Sequence, residues 1–242
     1  MLREMASTHG RSALGYLWAI LEPVGGIILL TFIFSLMLRS PGIGTNFPLF
    51  YATGMLPFVA YMDISQKTSV ALRFSRQLLA YPGVTFVDAL IARVLLNSIT
   101  QIMVWVVVLT GIIQIYRLDV ILDPPLVALS FAMTISLGLG IGTLNCYLLS
   151  VFPTWERIWA ILTRPLFIIS CIFFLFDDVP QPFQDWLWWN PLIHVVGQSR
   201  EGIYATYDAN YVSLIYVFAV ACVTFALGLL LLRRYYRDII ND

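Results

Sequence analysis

Charged side chains are scarce in this sequence. They make up 12% of its 242 residues, whereas hydrophobic types make up 60%, and the mean hydropathy is +0.83. Soluble domains carry roughly twice that share of charge, so a bilayer rather than water must surround most of the chain. Because the apolar runs leave no room for a sizeable soluble domain, the sequence predicts one transmembrane domain over residues 1–242.

Lysine is almost absent. The only lysine, Lys67, follows Gln66, whereas the nucleotide-binding pattern G-x-x-x-x-G-K-[ST] needs a lysine directly after glycine to hold phosphates. This excludes a Walker-type nucleotide site. We therefore expect no catalytic residue and no cofactor in this chain, so that ATP and Mg²⁺ would be bound by another subunit.

Metal-binding and proton-carrying residues are also few. Neither His9 nor His194 has a metal-ligand partner at a suitable spacing, and the three cysteines lack CxxC spacing. The best acid/base pair for a membrane glycosyltransferase or acyltransferase is His194 with Glu201. The acids fall at the ends of apolar runs or in loops, and no internal repeat is evident, which disfavours an ion-coupled secondary transporter. Both classes stay open as alternatives.

Long apolar runs dominate what is present. A helical span needs about 20 mainly apolar residues. The runs that meet this length are 22–39, 48–65, 93–116, 125–151, 158–177 and 212–232. No cleavable signal peptide is evident before the first run, which is expected to stay in the protein as an anchor. The sequence thus predicts an all-α membrane protein with six transmembrane helices.

The basic residues indicate the orientation of these spans. With the N-terminus inside, the inner side holds Arg3, Arg11, Lys67, Arg73, Arg76, Arg93, Arg157, Arg164, Arg233, Arg234 and Arg237, and the outer side holds Arg39, Arg117 and Arg200. Inner loops carry the excess of basic residues in membrane proteins. We therefore expect both termini in the cytoplasm, in agreement with an even number of spans.

Two segments at the inner side have helical spacing without span length. Residues 1–21 predict an amphipathic helix along the membrane interface that turns at Glu22-Pro23. Residues 66–82 predict a short amphipathic helix with Val70, Phe74 and Leu78 on one stripe, followed by a turn. This second helix is either a membrane-surface element or a docking element for a cytoplasmic partner.

The segment before the last apolar run is aromatic but broken by prolines. Residues 180–189 and 191–204 predict two helical pieces with a turn at Asn190-Pro191. Tryptophans favour the headgroup level of a bilayer. We interpret 180–204 as a re-entrant helical hairpin that caps or gates a pathway, with an ordinary interfacial belt as the alternative.

Four segments carry a family resemblance: GRSALGYLWAILEP (10–23), YPGVTFVDALIARVLL (81–96), LTRPLFIISCIFF (162–174) and WNPLIHVVGQSREGIY (189–204). Together they resemble the membrane permease of type 2 ABC exporters, most of all those of bacterial capsule polysaccharide exporters. Exporters of O-antigen or teichoic acid are a related alternative. The resemblance covers nearly the whole chain. Family members often carry an acid where Asn97 stands, and many begin a dozen or more residues earlier.

The resemblance implies an exporter that moves lipid-linked capsular polysaccharide from cytoplasm to periplasm. The implied substrate-pathway residues are Arg11, Tyr16, Trp18, Glu22, Trp155, Trp159 and Arg164. The implied ATPase-coupling residues are Lys67, Arg73, Phe74, Arg76, Leu78 and Tyr81. The implied outer-gate residues are Trp186, Trp188, Trp189, Asn190, His194, Arg200 and Glu201. The alternative for the aromatic residues of this set, Tyr16, Trp18, Trp155 and Trp159, is that they anchor the chain at the membrane interface.

The resemblance also implies the surroundings of the chain. We expect a multi-pass protein of the bacterial inner membrane that pairs with a second copy of itself and with a cytoplasmic ABC ATPase dimer. A periplasmic polysaccharide co-polymerase or adaptor, the lipid-linked polysaccharide and membrane lipids are the further partners expected. No nucleic acid and no metal are expected.

Overall fold

The structure, a computed structural model, describes the backbone over residues 14–79 and 83–241 and the side chains over residues 18–79 and 83–236. This part of the chain is helical and contains no strand, as the sequence predicted. Its α-helices are α1 (Leu14–Met37), α2 (Phe47–Ser69), α3 (Ala71–Leu79), α4 (Phe86–Tyr116), α5 (Pro124–Val151), α6 (Trp155–Ile169), α7 (Phe183–Trp188), α8 (Pro191–Glu201) and α9 (Leu214–Asn241).

Helix α2 lies at the centre of the bundle. Most of its side chains are buried, and it packs against α1, α4 and α5, while α9 covers another side of α5. Asn46 caps its start, where the side-chain oxygen accepts a hydrogen bond from the Leu49 amide at 2.9 Å. Gly142 of α5 permits close approach to α2, since a Cβ there would lie 2.7 Å from Thr68. Small residues at such contacts are typical of helix packing in lipid.

Five helical segments of the described chain are long and apolar enough to cross a membrane. They are Trp18–Met37, Phe47–Ser69, Phe86–Tyr116, Pro124–Val151 and Leu214–Tyr236. The count therefore differs from the six spans predicted, because the expected span 158–177 is not a single long helix.

The chain leaves helical geometry in the middle of that expected span. Helix α6 has 15 residues, about 22 Å at a rise of 1.5 Å per residue, against a hydrocarbon core of about 30 Å. Cys171 takes a left-handed φ of 57°, and a short 3-10 turn at Phe176–Asp178 follows. The non-helical stretch from Ser170 to Leu175 is mostly buried against the other helices.

The turn expected at Glu22-Pro23 is absent. Helix α1 runs through Pro23 without interruption from Leu14 to Met37. A proline inside a helix removes one hydrogen bond but often kinks the helix rather than ending it. The first part of the expected interface helix, residues 1–13, lies outside the described residues.

Candidate functional site

The expected coupling helix is shorter than the sequence predicted. Residues 66–69 complete α2, and the separate helix α3 covers only Ala71–Leu79. The Ser69 hydroxyl donates a hydrogen bond to the Gln66 carbonyl at 2.7 Å, a local bond that competes with helix continuation. Tyr81 lies outside the described residues. We call this part of the bundle the α3 end.

The face of α3 that packs on the bundle differs from the predicted stripe. Its buried residues are Ala71, Leu72 and Ser75. Leu72 lies in a cluster with Leu90 of α4 and Leu232 of α9, whereas Phe74, from the predicted stripe, is 45% exposed. The spacing alone could not indicate the face, because three neighbouring helices decide it. Arg73 and Arg76 are exposed, as expected of residues that meet a partner.

Arg93 joins α3 to two other helices. This α4 side chain is only 6% exposed. Its Nη1 donates to the Lys67 carbonyl near the end of α2 at 3.3 Å, and its guanidinium carbon lies 3.9 Å from the centre of the Phe74 ring on α3. A cation suits the negative end of a helix and the face of an aromatic ring. Arg93 therefore fixes α3 relative to the end of α2 and to the first turns of α4.

A second polar contact supports the same end of α2. Lys67 pairs with Asp63 one turn earlier at 2.8 Å, and the Gln101 amide of α4 donates to the same Asp63 oxygen at 2.9 Å. Asn97, where family members often carry an acid, is buried and donates to the Arg93 carbonyl in its own helix at 2.7 Å. The position thus forms no ion pair within the described residues.

A cavity of about 240 Å³, with a mostly apolar wall and several polar side chains, opens beside these contacts, between α2, α3, α5 and α6. Arg73 and Trp159 both line it, so the structure brings together one residue expected to couple to the ATPase and one expected in the substrate pathway. Trp155 lies next to Trp159, with 6.3 Å between the ring centres, and its ring N–H donates to Asn145 of α5 at 2.9 Å.

The other expected pathway residues are not brought to this cavity. Trp18 and Glu22 are exposed on α1, and Arg164 is exposed on α6; none of the three lines it. Arg11 and the side chain of Tyr16 lie outside the described residues. The structure therefore groups Trp155 and Trp159 but leaves the α1 residues apart from them.

The opposite end of the bundle carries the two helices expected for the outer hairpin. Helices α7 and α8 meet at Asn190, whose side-chain oxygen accepts from the Leu192 amide at 3.1 Å. The Asn190 amide donates to the Ile169 carbonyl at the end of α6 at 3.1 Å. Trp188 donates its ring N–H to the Tyr211 carbonyl at 3.1 Å. These bonds fix the hairpin to α6 and to the segment before α9.

Arg200 of α8 is fully buried and holds the non-helical stretch that follows α6. Its guanidinium donates to the carbonyls of Ile172 at 2.9 Å and Phe174 at 3.0 Å. It also lies 4.5 Å from the centre of the Phe50 ring of α2. Gly54 makes this approach possible, since a Cβ there would lie 3.2 Å from the Ile172 Cα. In a low-dielectric interior, unpaired carbonyls are costly, so Arg200 stabilises the break.

His194 is buried in a cage of aromatic rings formed with Trp188 and Tyr216. Its Nδ1 accepts the Ser213 amide hydrogen at 3.2 Å, so the proton sits on Nε2, which donates to the Trp188 carbonyl at 2.9 Å. Both ring nitrogens are thus used by the backbone. No contact joins His194 to Glu201 within the described residues, so the acid/base pair considered from the sequence does not form.

We expect the hairpin to weaken on acidification. Burial lowers the pKa of His194, while the backbone groups of Trp188 and Tyr211 near its ring oppose the shift. The stabilisation is complete above the ordinary histidine pKa of about 6.5 and is lost as the pH falls through the lower folded pKa. The thermal midpoint of the purified protein should therefore fall between about pH 8 and about pH 5. His194→Asn should flatten this dependence, whereas His9→Gln should not; an equal slope in all three proteins would contradict the assignment.

Two of the remaining gate residues face outward, and the third, Glu201, is half-buried. Trp186 is 81% exposed and Trp189 68% exposed, which suits contact with lipid headgroups. Glu201 ends α8, and burial raises its pKa, with the charges of Asp208 and Asp123 adding to the effect.

Apolar helices of span length around a buried central helix define a multi-span membrane protein. The model of the ABC-2 type transporter family matches residues 1–204 of the sequence. The chain belongs to that family.

Curated relatives cover almost the whole chain. The chain is 33% identical over 232 residues to the polysialic acid transport protein KpsM of Escherichia coli, covering 96% of this chain and 90% of the relative. It is 24% identical over 243 residues to the capsule polysaccharide export inner-membrane protein CtrC of Neisseria meningitidis, and 25% identical over 248 residues to the corresponding protein BexB of Haemophilus influenzae. In both cases 99% of this chain and 90% of the relative are covered.

Proposed function

We propose that this chain is the membrane-spanning subunit of an ATP-driven exporter that moves lipid-linked capsular polysaccharide from the cytoplasm to the periplasm. The observation that carries the proposal is its similarity, over 96% or more of its length, to proteins named for polysialic acid transport and capsule polysaccharide export. A separate ABC ATPase binds ATP and Mg²⁺ and drives the cycle. This chain itself is a permease and not an enzyme.

The pathway lies between two copies of the chain. A single bundle is narrow and filled by α2, which supports this arrangement. Helix α6 supports it too, since none of its side chains is buried within the single chain. Trp159 and Arg164 on α6 would then be accessible to a polymer between the copies.

The α3 end faces the cytoplasm in this proposal, and the hairpin faces the periplasm. Helix α3 docks on the ATPase through Arg73 and Arg76, and Arg93 passes its motion to α2 and α4. At the other end α7 and α8 re-enter the outer leaflet, anchored by Trp186 and Trp189, and control exit of the polymer. A periplasmic adaptor receives it there.

Both termini are cytoplasmic if α6 and the stretch after it cross the membrane together. Helix α6 is about 22 Å long, and the non-helical residues up to Phe176 add the rest. Non-helical backbone survives at membrane depth only where protein satisfies it, and Arg200 does so here. We expect tags on the two termini of the intact protein to be labelled from the same side of inner-membrane vesicles. Labelling from opposite sides would mean an odd number of crossings and would contradict this part of the proposal.

ATP turnover tests the division of labour. The purified chain alone should hydrolyse no ATP above background, and the chain with its ATPase partner in lipid should hydrolyse ATP faster than the partner alone. A matched partner with its nucleotide-binding lysine replaced is the control. Turnover by the chain alone would contradict the proposal.

A further inference from the structure

The cavity at the α3 end combines a mostly apolar wall with polar and charged side chains. The polar residues that line it are Ser65, Gln66, Ser69, Arg73, Ser150, Glu156 and Thr163, and Met62 and Trp159 are among its apolar residues. Hydroxyl and amide groups both donate and accept hydrogen bonds. The walls come from four helices, so a ligand here touches α3 and the membrane-spanning bundle at once.

The charges of the cavity indicate what it binds. Arg73 lies on one wall and Glu156 of α6 on another. Among the described residues no carboxylate lies within ion-pair distance of Arg73. A free guanidinium suits a carboxylate or phosphate, and Glu156 is placed to accept hydroxyl hydrogens.

The volume of the cavity and the Trp159 ring in its wall indicate which class of ligand fits. Its volume of about 240 Å³ is below the roughly 300–1,000 Å³ of pockets for drug-sized ligands, so it holds one small unit and not a length of polymer. The half-buried Trp159 offers an apolar face, against which the apolar face of a sugar ring packs.

We propose that this cavity binds one saccharide unit that carries an anionic group, with Arg73 on the anion, Trp159 on the sugar face, and Glu156 on hydroxyls. The proposal rests on the function proposed above and deepens it. This changes the role given to Arg73 above: Arg73 contacts substrate, and Arg76, which does not line the cavity, makes the contact with the ATPase. Because Arg73 lies on α3, a bound sugar acts directly on the helix that docks on the ATPase, and ATP use is matched to the presence of substrate.

Sugar-stimulated ATP turnover tests this site. The complex of chain and ATPase in phosphatidylcholine nanodiscs is titrated with a sialic acid trimer, and with maltotriose as a neutral sugar. We expect the trimer alone to stimulate turnover. Arg73→Gln should raise its half-maximal concentration about tenfold or more, since a charge-assisted hydrogen bond is lost, and Arg73→Lys should keep most of the response. Arg157→Gln, an exposed arginine of α6 outside the cavity, is the matched control and should behave as the unaltered chain.

Arg76→Gln separates the two roles on α3. It should weaken ATPase binding while leaving the half-maximal sugar concentration unchanged. Phosphatidylglycerol in the nanodiscs distinguishes a lipid phosphate from a sugar acid as the anion. The site is overturned if the unaltered complex ignores the trimer, if Arg73→Gln responds like Arg157→Gln, or if maltotriose or phosphatidylglycerol reproduces the effect.

Binding of the sialic acid trimer to the purified permease, without the ATPase, tests the cavity independently of the proposed exporter function. The trimer should change the tryptophan fluorescence of the purified permease, and Trp159→Phe or Arg73→Gln should weaken that response. If the ATPase does not associate with the chain, the proposed function fails, while fluorescence still decides the cavity. If the complex forms and hydrolyses ATP but neither variant alters the fluorescence titration, the cavity proposal alone fails.

Discussion

Arg200→Met should lower the free energy of unfolding by about 2–5 kcal/mol and abolish export. The substitution removes both hydrogen bonds that Arg200 donates to the Ile172 and Phe174 carbonyls. Each buried carbonyl left without a donor costs about 1–3 kcal/mol. The substitution also removes the cation–π contact between the guanidinium and the Phe50 ring. The thermal midpoint in detergent measures the loss of stability, and surface polysaccharide measures export in a strain that depends on this chain.

Two companion variants make this prediction specific. Gly54→Val should produce a similar loss, because a side chain there meets Ile172 and the Arg200 guanidinium, 3.3 Å from a Cβ at Gly54. Arg39→Gln, an exposed arginine after α1, removes the same charge without a buried contact and should change neither quantity. If the Arg200→Met protein were stable and exported polysaccharide, the non-helical stretch after α6 would not need the guanidinium for its stability.

Arg93→Gln should separate ATP hydrolysis from export. Glutamine is too short to reach the Lys67 carbonyl while its side chain lies over the Phe74 ring, and it carries no charge for the contact with that ring. Helix α3 then follows the ATPase without moving α2 and α4. We expect the amount of polymer exported per ATP to fall about tenfold, since loss of a buried cation's hydrogen bonds and ring contact is worth more than 1.4 kcal/mol.

The ratio of export to ATP use identifies this effect. Arg93→Lys keeps a charge and should recover part of the ratio. Arg117→Gln, at the exposed residue that follows the far end of the same helix α4, is the control and should leave the ratio unchanged. If Arg93→Gln lowers export and ATP turnover in equal proportion, Arg93 stabilises assembly and does not transmit motion.

The two buried arginines act by the same physical means at opposite ends of α2. In each case an arginine donates to backbone carbonyls where helical hydrogen bonding ends, and its guanidinium lies over an aromatic ring. Arg93 does so near Lys67 and Phe74, and Arg200 does so near Ile172 and Phe50. Irregular backbone in an apolar surrounding requires such donors, so the positions where the bundle departs from regular helix are also the positions that two cations control.

Apolar runs predicted the long helices well, because a helix in lipid must satisfy its backbone internally over a fixed length. The same rule misled at residues 158–177. The stretch after Ser170 is as apolar as a helical span, and its break depends on Arg200, which is 28 residues from Ile172 in the chain. No local pattern contains that information.

Two local signals, the proline at position 23 and the helical spacing in α3, led to wrong predictions of a turn and of a buried helix face. Pro23 predicted a turn, but α1 continues through it, because a proline within a long apolar helix is tolerated once neighbours satisfy the freed carbonyl. On α3 the stripe through Phe74 was chosen from spacing, whereas packing against α4, α5 and α9 selected Leu72. A nine-residue helix has too few turns for its pattern to identify its buried side.

The site residues expected from the sequence stay a prediction. Trp155 and Trp159 were expected in the substrate pathway, and the structure places their rings side by side without testing that role. Arg93 was counted only as an inner-side charge, although a single arginine among Ile91, Val94 and Leu95 is itself a signal, since charges within apolar runs usually serve function. That Arg73 shares a cavity with Trp159 could not be predicted, because it depends on where the bundle places α3 relative to α6.

ATP-dependent movement of lipid-linked polysaccharide into proteoliposomes tests most directly whether this chain forms the pathway while another subunit hydrolyses ATP. The ATPase faces the outside medium, and polymer reaching the lumen is measured by its protection from an added glycosidase. We predict that protection requires this chain, the ATPase and hydrolysable ATP together. Equal protection without ATP or without the ATPase, or none when all three are present, would contradict this division of labour.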